Sequence, residues 1–240
     1  MNHYNIELKE LNAAKDKLFS IIAHDLRNPF HSFLSLTQFI AEDAGSFSAE
    51  EISKIGSGMH QAAKHLFSLL KNLLEWAEMQ KGTIEIEAED FSLSGLISES
   101  VKMAMEMGGQ KGIEIVDNVA APAYAYADKK MINSVLLNLF SNAVKFTPQG
   151  GCVTISARET AEEMIEVSVK DTGIGIEDAI IGKLFMVGEK TSRTGTNGEP
   201  STGIGLLLCK EFIEKNGGKI WVESKEGTGS TFSFTLRTHE

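Results

Sequence analysis

The sequence predicts two domains in series: an α-helical hairpin forming a dimeric four-helix bundle, residues 1–82, and a two-layer α/β sandwich, residues 83–240. Three observations predict it. Apolar residues recur at helical spacing, without a glycine, from about Asn5 to Ala44; a second apolar series alternates steps of three and four from Ile52 to Trp76; and beyond Lys81 short β-prone runs alternate with helical stretches.

The first helix carries Leu8, Leu11, Leu18, Ile22, Phe33, Leu36 and Ile40 at helical spacing, and Pro29 should kink it. After a turn at Gly45 to Phe47, Ser48 with Glu51 three residues on reads as a capping box opening the second helix. Its series Ile52, Ile55, Met59, Ala62, Leu66, Leu69, Leu73, Trp76 is a coiled-coil seam. Two such seams bury themselves most simply against a second copy, so a homodimer is expected.

From Lys81 a charged connection with strand character leads into the second domain. There the pattern predicts helices over Leu93–Gly108, Lys129–Phe146 (capped by Asp128) and Gly203–Lys215. Strands are predicted at Ile113–Asn118, Ala123–Ala127, Cys152–Glu159, Met164–Asp171, Lys219–Ser224 and Thr231–Leu236, with a loop-rich stretch from Gly173 to Ser201.

A hydrophobic content of 42% over 240 residues suffices for a core in each domain. The net charge of −10 argues against nucleic acid as a partner, since gripping phosphate backbones takes clustered Lys and Arg. Cys152 and Cys209 lack metal-ligand spacing and read as reduced and structural, which suits a cytoplasmic location. No apolar run approaches the roughly eighteen residues of a membrane span. Membrane contact by this stretch is not expected, although an upstream segment of the parent protein is compatible with an anchor.

Four blocks carry the chemistry. In "NLFSNAVKFTP", Asn138, Asn142 and Lys145 fall at i, i+4 and i+7 and share a helix face. An Asn carbonyl is a hard neutral ligand suited to Mg²⁺, which binds mainly through substrate phosphates, so Asn142 is the candidate metal ligand and Lys145 a phosphate contact. In "DTGIGI", Asp171 ends a strand where a carboxylate can accept from an adenine amino group, while Gly173 and Gly175 let the backbone approach a ligand. "STGIGL" places Gly203 and Gly205 at the start of a helix, whose N–H groups suit a phosphate. Neither a Rossmann fingerprint nor a P-loop is present. The "GTGSTF" run from Gly227 to Phe232 is read as shaping the last hairpin.

The fourth block, "FSIIAHDLRNPF", presents His24 on a polar stripe with Lys17, Ser20, Arg27, Asn28, His31 and Ser35. Asp25 distinguishes His24 from His31, because a carboxylate on one ring nitrogen fixes the tautomer and supports the charge that forms as the other attacks phosphorus.

Together, from Phe19 to Leu206, these blocks resemble the transmitter core of sensor histidine kinases of two-component systems, whose nucleotide domain has the Bergerat-type fold shared with gyrase, heat-shock and mismatch-repair ATPases. The resemblance implies ATP and Mg²⁺ as cofactors, phosphorylation of His24, and transfer to an aspartate of a response-regulator receiver domain. It implies an asparagine box at Asn138 and Asn142, a first glycine box from Asp171 to Gly175, a second from Thr202 to Gly205, and a lid between them; Phe146 and Leu206 adjoin these boxes. It also places Asn28 where the family orients a water during regulator dephosphorylation, implying a phosphatase activity. The lid departs from the family pattern, with Phe185 followed by Gly188 where a second phenylalanine would stand. Lys190 occupies the position of a basic residue near the γ-phosphate, with Arg193 as the alternative. Two rival functions remain, a clamp-type ATPase without phosphotransfer and a non-catalytic dimeric scaffold. The His24–Asp25 pair speaks against the first and the intact Asn, Asp and Gly set against the second.

Overall fold

The computed structural model describes Ser20, Ala23 and residues 25–42, 45–80, 85–120, 122–160, 163–189, 191–201 and 203–238. Two compact units divide the chain, a helical one whose main segment ends at Lys81 and an α/β one that begins at Gly82.

In the helical unit, α1 covers residues 25–42 and α2 runs Ala49–Gln80. The predicted start of the first helix, before Ser20, lies outside the described residues. Helical residues continue through Pro29, so the proline does not end the helix. The capping box forms as its sequence requires: Ser48 N donates to Glu51 Oε2 over 2.8 Å and Glu51 N donates to Ser48 Oγ over 3.3 Å. The two helices fold back on each other closely enough that a Cβ on Gly58 would lie 3.1 Å from Leu36 Cδ1. Of the α2 seam, Leu69 and Trp76 are buried and Ile55 through Leu73 are otherwise half-buried, whereas Ile52, in the first turn, is 43% exposed. A second apolar stripe, Phe67, Leu70 and Leu74, is exposed on the same helix.

The α/β unit contains β1 (Ala88–Ser92), α3 (Leu93–Gly109), β2 (Glu114–Val119), β3 (Tyr124–Asp128), α4 (Lys129–Phe146), β4 (Cys152–Glu159), β5 (Met164–Asp171), α5 (Asp178–Ile181), α6 (Gly205–Lys215), β6 (Ile220–Lys225) and β7 (Gly229–Arg237). The strands form one mixed sheet in the order β1-β3-β7-β5-β4-β2, with β6 also on β7. β2 and β4 are parallel and the other pairs antiparallel. Alternate residues of the central strands, Val153 and Ile155, Ile165, Val167 and Val169, Phe232, Phe234 and Leu236, point inward. They meet the buried stripe of α4, which includes Ile132, Leu136, Leu139 and Phe140, and that of α6 with Leu208 and Ile213. Each such side chain, fully buried, contributes about 1.5–3 kcal/mol.

Besides shifts of one or two residues at the ends of α3, β2, β3, β6 and β7, three details differ from the sequence reading. The strand-like connection after Lys81 becomes an edge strand, β1, in register with β3 from Ala88 opposite Asp128 to Ser92 opposite Tyr124. The loop-rich stretch contains the single-turn α5. Helix α6 starts at Gly205 rather than Gly203, because Gly203 has φ +68°, which no right-handed helix accommodates.

Candidate nucleotide site

Helix α4 supplies the polar face. Its phase is set by Asp128, whose Oδ1 accepts from Lys130 N over 3.0 Å and Met131 N over 3.1 Å. With the apolar stripe turned to the sheet, Asn138, Asn142 and Lys145 are left half-buried rather than solvated. Asn138 Nδ2 donates to Ser134 O within its own helix, over 3.2 Å. The first residue of α6 lies against it: a Cβ on Gly205 would sit 2.7 Å from Asn138 Oδ1. The second glycine run and the asparagine face are therefore brought together.

At the end of β5, Asp171 is only 5% exposed. Gly173 N donates to its Oδ1 over 2.7 Å and Ser230 N to the same oxygen over 3.2 Å. Burial pushes the carboxyl above the usual carboxylate range, against the opposing pull of those two amides. Both bonds fall on Oδ1, so the other oxygen retains its capacity to accept. Gly173 is required where it stands, since a Cβ there would lie 2.5 Å from Phe146 O. Ile174 N donates to that same carbonyl over 3.1 Å, tying the first glycine run to the end of α4. Gly175 has a different neighbour: with φ +67° it packs under Lys225 O and Glu226 in the β6–β7 turn, and so shapes the backbone instead of lining the helix face.

The N-cap residue of α6, Ile204, makes no side-chain cap hydrogen bond, so among the described residues the first-turn N–H groups of Gly205, Leu206 and Leu207 have no intrahelical acceptor and no capping one. This is the arrangement in which a helix end attracts an anion. Lys145, at the other side of the polar face, donates from Nζ to Pro200 O and to Ser201 Oγ, the latter over 2.5 Å. Burial pulls its ammonium down to about 8; nearby Glu199 opposes that shift and Lys111 reinforces it. Arg193 pairs with Glu177 over 2.5 Å.

His24, Lys190 and Thr202 lie outside the described residues. On α1, Asp25 is half-buried and Asn28 exposed. Sequence reasoning missed two contributors. The "GTGSTF" run does shape the β6–β7 hairpin, and it also delivers Ser230 N to Asp171; no motif marks Ser230 for that role. Lys111, Thr196 and Glu199 form a cluster beneath Lys145 that no sequence pattern signalled. Among the described residues no group of three or more His, Cys, Asp or Glu gathers to hold a metal. An ion here needs phosphate oxygens beside the Asn142 amide, which fits the way Mg²⁺ binds.

Two family models match the chain. Residues 14–82 match the His Kinase A (phospho-acceptor) domain, and residues 127–240 match the histidine kinase-, DNA gyrase B- and HSP90-like ATPase. The chain belongs to the histidine kinases. The kinase is similar to the adaptive-response sensory kinase SasA of Synechococcus elongatus, 30% identical over 96% of this chain and 61% of SasA. It is similar to full-length ShkA in complex with AMPPNP, at 26% identity and TM-score 0.65, over 92% of this chain and 45% of ShkA. The catalytic domain of the histidine kinase ThkA matches at 30% identity and TM-score 0.55, over 64% of this chain and 97% of that domain. ThkA in complex with its response regulator TrrA shares the fold, with TM-score 0.70 at 24% identity, over 96% of this chain and 64% of that chain. The histidine kinase core spans 28% to 61% of the length of the first curated relatives it matches. Among the described residues no helix is long and apolar enough to cross a membrane.

Proposed function

We propose that this chain is the transmitter core of a two-component sensor, in which a nitrogen of His24 attacks the γ-phosphorus of ATP, ADP departs, and the phosphoryl group passes on to an aspartate of a response regulator. The observation that carries the reading is Asp171, a buried carboxylate anchored by two amides through one oxygen and able to accept an adenine amino proton through the other. AMPPNP in the similar kinase ShkA supports the same reading.

In this account Asp171 reads the base and the open N-terminus of α6 takes phosphate, with Asn138 held beside it. Lys145 exchanges its lid partners for phosphate oxygens, and Asn142 is the residue that would hold Mg²⁺. The ion would supply charge neutralisation; positioning is the protein's part. On α1, Asp25 orients His24 and offsets the charge developing on the ring, while Asn28 serves dephosphorylation of the regulator. The exposed apolar residues Phe30 and Leu34 of α1 and Leu70 of α2, which line one groove with Leu26 and Leu66, support a second copy as the covering partner and hence a four-helix bundle. The domain limits follow as 1–82 for dimerisation and phosphoacceptance and 83–240 for catalysis, and the place of action as the cytoplasm, where ATP is.

The test is incubation with γ-labelled and, separately, α-labelled ATP. Label retained from γ only, acid-labile and alkali-stable, and lost in His24→Gln but kept in His31→Gln, is the expected result. Retention of α label, or undiminished labelling of His24→Gln, overturns the assignment.

A further inference from the structure

Three charged residues are buried among those described: Asp128 caps α4, Asp171 ends β5 at the candidate nucleotide site, and Lys111 has neither role. Lys111 stands in the turn between α3 and β2, 5% exposed. An ammonium survives burial only with partners, and here it has four. Nζ donates to Val144 O over 3.1 Å, Lys145 O over 3.0 Å and Thr196 Oγ1 over 2.9 Å, and it pairs with Glu199 Oε1 over 2.5 Å. The first two are carbonyls of the last turn of α4, the end of a helix that favours a cation. The other two belong to the last part of the lid.

The lid is tied to the same point by its backbone. Thr196 N donates to Lys145 O over 3.0 Å, and Thr196 Oγ1 donates to Thr147 O over 3.0 Å. Gly195 N donates to Glu199 O over 2.8 Å and Asn197 N to Glu199 Oε2 over 2.8 Å, so the pair with Lys111 also closes a tight turn. The hydrogen bonds from Lys111 and from two main-chain amides hold the Glu199 carboxyl below the usual range although burial pushes the other way. The next two residues, Pro200 and Ser201, are those that receive the Lys145 ammonium.

We propose that Lys111 is a positioning residue of the nucleotide site: through Glu199 and Thr196 it clasps the C-terminal stem of the lid, residues 195–201, to the end of α4, and so fixes where Lys145 stands when phosphate arrives. This rests on the ATP-site reading. The clasp acts on the triphosphate side and leaves the adenine side, at Asp171, alone.

The test uses Lys111→Met, Glu199→Gln and the double variant of the whole chain. Amide hydrogen exchange at Gly195, Thr196 and Gly198 is read without nucleotide; ATP affinity is read by calorimetry, and adenosine binding by amide shifts of Gly173 and Ser230. Each single variant should speed exchange at the three amides and weaken ATP by roughly tenfold, the scale of one charged hydrogen bond. Adenosine binding should stay unchanged, and the double variant should be no worse than the more damaged single one. Glu199 is partly exposed, so Glu199→Gln keeps the test open if Lys111→Met misfolds. Wild-type exchange and ATP affinity in Glu199→Gln overturn the clasp, as do equal losses for ATP and adenosine, or losses that add in the double variant. If the wild-type chain binds no ATP, the nucleotide-site reading fails, and unaltered exchange at the three amides is then what removes the clasp.

Discussion

Ser230 N donates to Asp171 Oδ1 over 3.2 Å across 59 positions of sequence, so the start of β7 holds the carboxylate that β5 presents. A Cβ on the preceding residue, Gly229, would collide with Asp171 O, and its φ of +123° is open only to glycine. The last hairpin thus helps to hold the carboxylate proposed to read the base.

Asp171→Asn should lose ATP discrimination without losing the fold. The amide Oδ1 can still accept from Gly173 and Ser230, but the remaining group becomes a donor facing a donor. The folded-state pKa of Asp171 is raised, so the native state binds its proton more readily than the unfolded chain. That makes native stability fall as pH rises from the unfolded value of 3.8 through the folded one. An Asn has no proton to lose, and the variant should melt no lower than wild type at neutral pH while ATP affinity drops and the preference over GTP narrows. A melting temperature well below wild type, or unchanged nucleotide preference, goes against this.

Two alanine substitutions separate the glycine runs. Gly205→Ala places a methyl 2.7 Å from Asn138 Oδ1, a flexible side chain, and should cut ATP binding while leaving unfolding nearly unchanged. Gly175→Ala asks for φ +67° and meets the Lys225 backbone, which cannot give way locally. It should cost about 1–3 kcal/mol of stability, or more from the collision. Urea denaturation of both variants beside calorimetric ATP titration reads the contrast; equal destabilisation would remove it.

Much of this site was legible because its signals are local. The cap at Asp128, the i, i+4, i+7 face of α4 and the bounds of β4 and β5 follow from adjacent residues and periodicities, and the structure returns them unchanged. What was not legible depends on sequence-distant partners. Lys111 meets Thr196, 85 positions on, and a lone lysine before a glycine gives no hint of burial. Ser230 is one hydroxyl among several in its run, and its contribution is an N–H that every residue but proline carries. Helix α5 is four residues long, too short for any period to register.

Lys145 sets a pH dependence. Its ammonium, lowered to about 8, is charged at neutral pH and sheds its proton in the empty protein as pH rises past that value. The unfolded chain keeps the proton up to about 10.5, so folding stability should rise between about 8 and 10.5, where the unfolded state binds more protons. ATP affinity should move oppositely: level below pH 8, then falling toward about tenfold per pH unit once binding must take up a proton. Lys145→Met should bind weakly with no inflection. A flat wild-type profile from pH 7 to 9.5 would detach Lys145 from the phosphates.

The final prediction separates two activities on α1. Asp25 and Asn28 stand three positions apart, the first half-buried and the second exposed. A carboxylate offsets the imidazolium that forms as His24 attacks phosphorus, so Asp25→Asn should lower autophosphorylation by roughly 10²-fold or more, the contribution of one acid–base partner. Asn28 is an uncharged donor and acceptor one turn further, unable to offset that charge but able to hold a water in line with an aspartyl phosphate on the regulator. Asn28→Ala should therefore keep autophosphorylation and phosphotransfer and lose regulator dephosphorylation, while Asp25→Asn loses mostly the kinase step. The measurement is a paired assay with a cognate receiver domain, following label first onto the kinase and then off the regulator. Equal damage to both steps from Asn28→Ala would mean that the residue supports helix geometry ahead of Pro29, and the phosphatase activity would lose its candidate residue.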